Sequence, residues 1–128
     1  MAEMSNYLEN ALINATLRNT SYTSPAVVYL ALYTNDPTDA DTGIEVTGNG
    51  YVRQSITFGA PSNGVSTNSA AIEFPQATGS FGTVTHVGIR DALTAGNLLY
   101  HTPLDASKTI ATGDVFRVAS GSLSVSFA

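Results

Sequence analysis

The stretch of this sequence that decides the fold is Phe81-Gly-Thr-Val-Thr-His-Val-Gly-Ile-Arg-Asp-Ala-Leu-Thr-Ala-Gly-Asn-Leu-Leu-Tyr100. Alternation at period two predicts a strand with one face formed by Phe81, Thr83, Thr85, Val87 and Ile89. The opposite face then carries Gly82, Val84, His86, Gly88 and Arg90. A turn at Ala95-Gly96-Asn97 follows, so the stretch predicts a hairpin that carries almost no reactive groups.

The remaining chain repeats this pattern of short strands separated by turns. Strands are predicted at 26–34, 51–58, 70–74, 98–104, 114–118 and 123–127. The first of these is apolar on both faces, which predicts a central strand with a layer on each side and the helix on one of them. Short strands at such intervals, with little helix between them, indicate an all-β fold, an antiparallel β-sandwich with one short N-terminal α-helix.

That helix is predicted at 6–18, with Asn6 as its N-terminal cap and Asn19 as a left-handed stop. Its apolar stripe consists of Leu8, Ala11, Leu12 and Ala15. So short a helix needs a surface to lie against, and its own sandwich is preferred over a neighbouring subunit. We expect residues 1–128 to form a single domain, with an N-terminal helical segment at 1–22 and the sandwich at 23–128.

The composition limits the classes of function. Only 12% of the 128 residues are charged, against roughly 25% in an ordinary domain, so contact with other proteins is physically easy. The five basic residues are scattered and the net charge is −5, which argues against nucleic-acid binding. No apolar run approaches the roughly 20 residues of a membrane span, and the first residues predict no secretory signal. The absence of cysteine excludes disulfides and thiolate catalysis.

Three groups of residues deserve a test for chemistry. The acidic loop from Asp36 to Glu45 offers oxygen ligands for calcium, but its spacing does not match an EF-hand, and a solvated loop is preferred. His86 and His101 lie on neighbouring predicted strands and could meet in a metal site, although surface roles are preferred. The serines lack a nucleophile motif. We therefore predict no catalytic, metal or cofactor site.

Tyrosine is the remaining residue type suited to function, because its side chain is common at protein interfaces. Tyr29 and Tyr33 share a face of the central strand and are expected in the core. The predicted assembly interface comprises Tyr7, Leu8, Leu12 and Tyr22, which lie on or beside the helix.

Six blocks of sequence carry a resemblance to a known family. They are 6–13, 28–37, 50–54, 81–89, 96–100 and 121–125, the second reading Val28-Tyr-Leu-Ala-Leu-Tyr-Thr-Asn-Asp-Pro37. Together they make the chain resemble, from end to end, small virion proteins of tailed bacteriophages that are often labelled tail fibre proteins. The resemblance implies a non-enzymatic structural component of a phage particle, without catalytic residues or a cofactor.

The place of such a protein in the virion is a separate question. The chain has neither coiled-coil heptads nor the repeats of a fibre shaft, so a capsid decoration or cement protein is the leading expectation. The alternatives are a tail-fibre or tail-attachment module and, in another class, a host-glycan-binding module. Expected partners are the major capsid protein or tail proteins, and further copies in a symmetric homo-oligomer such as a trimer.

Overall fold

A computed structural model describes residues 2–127 of the chain. The elements in chain order are β1 (Glu3–Met4), α1 (Asn6–Leu17), β2 (Val28–Tyr33), β3 (Gln54–Ile56), β4 (Val65–Thr67), β5 (Ile72–Glu73), β6 (Gly82–Arg90), β7 (Leu98–Ile110), β8 (Arg117–Val118) and β9 (Ser124–Ser126). The predicted all-β fold with one short N-terminal helix is confirmed.

The strands form one large antiparallel sheet and two small ones. The large sheet has the order β1-β7-β6-β2-β3, and the small ones are the pairs β4-β9 and β5-β8. The main core joins these layers: Leu30 and Val87 of the large sheet belong to the same buried cluster as Ile72, Phe116 and Leu123. The second layer of the sandwich is therefore two short ribbons in place of one continuous sheet.

The hairpin of β6 and β7 is confirmed, but its alternation breaks in the middle. His86 lies opposite Pro103, whereas Val84 lies opposite Lys108, so residues 104–107 of β7 face only the single residue between His86 and Val84. Val84 is nevertheless buried in the same core as Val87, although three residues of regular strand would place the two on opposite faces. The prediction that these two valines lie on opposite faces is wrong, and the break in alternation coincides with the register shift between Val84 and His86.

Strand β2 is central, as predicted, and is buried on both faces. Leu30 and Leu32 belong to the main core, while Ala31 and Tyr33 form a second cluster with Leu98 on the other side. Gly88 of β6 faces that second cluster, where a Cβ would come within 2.8 Å of the side chains of both Leu98 and Tyr33. A glycine inside this strand is therefore required by the close approach of its neighbours.

The second face of β2 is covered by a loop. Pro37 is buried, and a Cβ added at Gly43 would lie 2.8 Å from both Pro37 and the ring of Tyr33. The sequence pattern predicts that helix α1 covers a face of β2. The helix instead packs mainly against β7. The loop between β2 and β3 thus takes the place that the sequence suggested for the helix.

Helix α1 is capped by Ser5, one residue before the predicted cap. The Ser5 hydroxyl accepts a hydrogen bond from the Leu8 N–H at 3.2 Å and donates one to the Leu98 carbonyl. Ser5 takes the capping position in place of Asn6 because its hydroxyl forms hydrogen bonds with both the helix and the sheet. At the other end Asn19 has a φ of 52°, which confirms the left-handed stop.

Several strand lengths differ from the predictions. Regular pairing along β7 resumes after the irregularity, so this strand runs from Leu98 to Ile110 and not to 104. The strand predicted at 51–58 is confined to β3, and just before it the side chains of Tyr51 and Arg53 both bond Glu45. Strands β1 and β4 were missed, and the pieces at 114–118 and 123–127 are shorter than expected.

Candidate functional site

The structure places the four predicted interface residues in different environments. Tyr7 is 42% exposed and accessible to a partner, whereas Leu8 is only 4% exposed and belongs to the interior. Leu12 and Tyr22 are half-buried. Burial, and then electrostatic interaction with Tyr7 and Asp91, raises the pKa of Tyr22. Of the four, Leu8 is the least accessible and Tyr7 the most.

A second apolar surface on α1 escaped the sequence analysis. Ile13 is 52% exposed and Leu17 is 79% exposed, and a spacing of four residues places them one above the other on the helix. They lie away from the stripe that carries the buried Leu8. We call Ile13 and Leu17 the helix ridge. The sequence did contain a signal for this surface, because Ile13 and Leu17 are two aliphatic residues at helical spacing outside the predicted stripe.

Arg53 holds two loops together in the interior. Its guanidinium donates to both carboxylate oxygens of Glu45, at 2.8 and 2.7 Å. Its Nη1 donates to the carbonyls of Ala92 and Ala95, each at 2.8 Å. The loop between β2 and β3 is thereby fixed to the turn of the main hairpin, since a bidentate arginine pair fixes both distance and orientation.

Arg90 makes a parallel set of contacts from β6. It donates to both carboxylate oxygens of Asp41, at 2.8 and 3.0 Å, and to the Tyr33 hydroxyl at 3.0 Å. The carbonyls of Ala95 and Gly96 accept further hydrogen bonds at 3.3 and 2.9 Å. Burial opposes the charge of Arg90, but the bonds to Asp41 and Tyr33 prevail and raise its pKa.

These contacts revise the interpretation of the acidic loop. Asp41 and Glu45 are the counter-charges of two buried arginines, although the Asp41 side chain itself remains 36% exposed. Asp36 instead accepts the Thr38 N–H at 2.8 Å and so shapes the loop locally. Sequence reasoning missed this arrangement because Arg53 and Arg90 occupy strand positions that are compatible with exposure.

Glu45 gives the fold a dependence on acid. Burial alone would raise the pKa of this carboxyl, but the hydrogen bonds from Arg53 and Tyr51 outweigh it, so the pKa lies below its usual 4.5. Burial, and then the bond to Glu45, also raises the pKa of Tyr51. A carboxylate with a lowered pKa stabilises the folded state above its ordinary pKa, and this stabilisation disappears as pH falls through the folded-state value.

We therefore expect the Glu45→Gln variant to respond less to acid than the wild type. The difference in free energy of unfolding between the two should be constant from about pH 7 to 5.5 and should shrink below the ordinary pKa of 4.5. Urea denaturation at a series of pH values measures it. A difference that stays the same down to about pH 3 would contradict the assigned direction of the Glu45 shift.

A hollow opens beside the Arg53 pair. Its volume is about 370 Å³, and its lining includes Glu45, Tyr51, Val52, Arg53 and Leu93. Val52 and Leu93 are exposed apolar side chains above the charged base. The hydrogen bonds of the two arginines thus hold the backbone of the loops on which these apolar side chains are exposed.

The two histidines do not meet. His86 lies opposite Pro103, and its Nδ1 is 2.8 Å from the Thr85 hydroxyl, whereas His101 lies opposite Gly88. The two residues are offset by two positions in the register, so the metal site that they could have formed, which was not the preferred interpretation, is absent from the described residues 2–127. His101 is buried, not exposed, and its Nε2 is 2.7 Å from Asp39 Oδ1.

Comparison with known proteins gives the chain a family. Within residues 2–127, no helix has the length and apolar character needed to cross a membrane. A search of curated proteins finds no match. A protein-family model does match, over residues 3–126, which is nearly the whole chain. The chain therefore belongs to the family described as Podophage GP4 fiber I protein gp80, a family of tailed-phage virion structural proteins.

Proposed function

We propose that this protein is a fibre module of a podophage particle, acting through protein contacts and without catalysis. The family description names a fibre protein, which favours the fibre alternative over capsid decoration. The observation that carries the proposal is the helix ridge, in which Ile13 and Leu17 are exposed while the opposite side of α1 is fastened to the sheet.

The ridge has the features of a docking element. An amphipathic helix commonly binds a groove of its partner through apolar residues spaced one turn apart. Ser5 and Leu8 hold α1 on its own fold, so the ridge is presented by an ordered helix. Tyr7 is also exposed, but it lies on a different side of α1, near the start of the helix. The proposed partner is another virion protein of the fibre or its attachment site.

We expect Leu17→Asp to prevent incorporation into particles while leaving the fold intact. A carboxylate at this 79% exposed position costs little in the free protein but would be desolvated in an apolar groove. Incorporation is measured by complementing a phage that lacks the gene and quantifying the protein in purified particles. Circular dichroism and thermal denaturation of the isolated variant establish that it folds.

Val115→Asp is the matched control, because Val115 is also an exposed aliphatic residue but lies outside the helix. We expect this variant to enter particles normally. Normal incorporation of Leu17→Asp, or equal loss for both variants, would reject the ridge as the docking element.

Capsid decoration is the competing proposal. It is supported by the compact sandwich of residues 2–127, in which the sole helix has 12 residues and no coiled-coil shaft is present. Electron cryomicroscopy of intact particles, with a tag on the protein, distinguishes the two: density on the shell supports decoration, and density at the tail supports a fibre. The same maps test the proposed homo-oligomer, including a trimer, through the symmetry of the density.

A further inference from the structure

A cluster of metal-ligating side chains lies outside the arginine pairs. Glu3 of β1, Asp39 of the acidic loop and His101 of β7 each direct one ligand atom into a region where these atoms lie within 4.8 Å of one another. The His101 Nε2 is 2.7 Å from Asp39 Oδ1 and 3.9 Å from Glu3 Oε2. Glu3 and His101 are direct partners in the sheet register, so backbone pairing holds two of the three together.

The charges around His101 are unbalanced. A third carboxylate, Asp36, approaches the other ring nitrogen, with Oδ1 3.7 Å from Nδ1. Two neighbouring carboxylates of the acidic loop, Asp41 and Glu45, have arginine partners. Within residues 2–127 the ion-pair contacts of Glu3, Asp36 and Asp39 converge on the one imidazole. A divalent cation at Nε2 would compensate the surplus negative charge.

The ligand types select the class of metal. Imidazole with carboxylates suits zinc and similar transition metals, whereas calcium and magnesium prefer oxygen ligands alone. Asp36 is the carboxylate nearest the other ring nitrogen, but at 3.7 Å it is beyond hydrogen-bond distance and would have to approach to fix the ring as second carboxylates commonly do. Beside the cluster, a hollow of about 470 Å³ lined by Glu3, Met4 and Asp39 among others offers room for water as a further ligand.

From this geometry we propose that Glu3, Asp39 and His101 bind a divalent transition-metal ion such as Zn²⁺. The ion replaces the proton between His101 Nε2 and Asp39, and Nδ1 carries the ring proton that faces Asp36. The 2.7 Å separation of nitrogen and oxygen must widen, because zinc lies about 2.0–2.2 Å from each ligand. The bound ion links β1 to β7 and to the acidic loop. It thereby stabilises the position of β1, which directly precedes α1.

Titration of the full chain with ZnCl₂ in metal-free buffer tests the proposal. We expect saturable 1:1 binding by calorimetry and a rise in Tm of roughly 5–10 °C at a zinc concentration near 100 times Kd. CaCl₂ should give neither effect. Glu3→Gln and Asp39→Asn should each weaken zinc binding by at least about tenfold. His86→Gln and Asp105→Asn, which alter the same residue types outside the cluster, should bind like the wild type.

Glu3 decides the test if His101 variants do not fold, because its exposed side chain can be changed with little effect on the core. Cobalt substitution adds a direct readout: Co²⁺ should give visible absorption in the wild type that weakens in Glu3→Gln and disappears in His101→Gln. Absence of zinc binding, equal affinity in the cluster variants and the controls, or tighter binding of calcium than of zinc would each overturn the proposal. Because this readout needs no particle, its failure leaves the fibre proposal standing.

Discussion

We expect Glu45→Ala to lower the free energy of unfolding by about 3–5 kcal/mol, the range found when one partner of a buried ion pair is removed. The substitution leaves the Arg53 guanidinium without its counter-charge in the interior. It also deprives the Tyr51 hydroxyl of its acceptor, which lies at 2.6 Å. That hydroxyl in turn accepts the Leu32 N–H at 3.0 Å, so the loss reaches the central strand.

Urea denaturation of the wild type and variant measures this loss. Glu73→Ala makes the same change at an exposed position and should cost less than about 1 kcal/mol. The double variant Glu45→Ala/Arg53→Ala should lose less than the sum of the single variants, because the two side chains contact one another. Additive losses in this cycle would show that the pair contributes no coupling.

Phe74→Ala should cost a similar amount, about 3–5 kcal/mol, for a different reason. The Phe74 ring is 1% exposed. It stacks on Tyr51 at a centroid distance of 5.9 Å and meets Phe116 edge-on at 5.8 Å. The ring therefore joins the β3 side of the large sheet to the ribbon of β5 and β8, and its removal leaves a cavity that three elements cannot easily close.

Thermal and urea denaturation test this prediction, with Phe127→Ala as the matched control. Phe127 is 49% exposed, so the same change in side-chain volume should cost roughly 1 kcal/mol or less. Equal losses for the two variants would contradict the assignment of Phe74 to the centre of the core.

The sequence predicted the fold best where the pattern was local. The turn at 95–97, the central strand β2 and the Asn19 stop all follow from residue type and spacing, and the structure confirms them. The burial of Val84 and Val87 in one core could not be predicted, because it coincides with a register shift against the neighbouring strand that no local pattern reveals. The cap at Ser5 was missed for a similar reason, since its second bond goes to a residue 93 positions away.

The candidate sites were less predictable than the fold. Both buried arginines alternate with apolar residues, as exposed strand residues do, and only tertiary structure brings Asp41 and Glu45 to them. The acidic loop was recognised, but its role as counter-charge was not. His101 was considered with His86, whereas its structural neighbours are carboxylates that come from a strand of two residues and from a loop.

The choice of carbonyl acceptors by the two arginines has a consequence for how this surface can change in evolution. Arg53 and Arg90 bind the hairpin turn through the backbone oxygens of Ala92, Ala95 and Gly96, and every amino acid supplies such an oxygen. Exposed neighbours such as Leu93 can therefore mutate without loss of the bonds that position them. Gly96 is the exception, because a Cβ there would lie 2.4 Å from Asp91. The backbone of the turn is thus held by bonds that do not depend on side-chain identity, while its exposed side chains can change to suit a new partner.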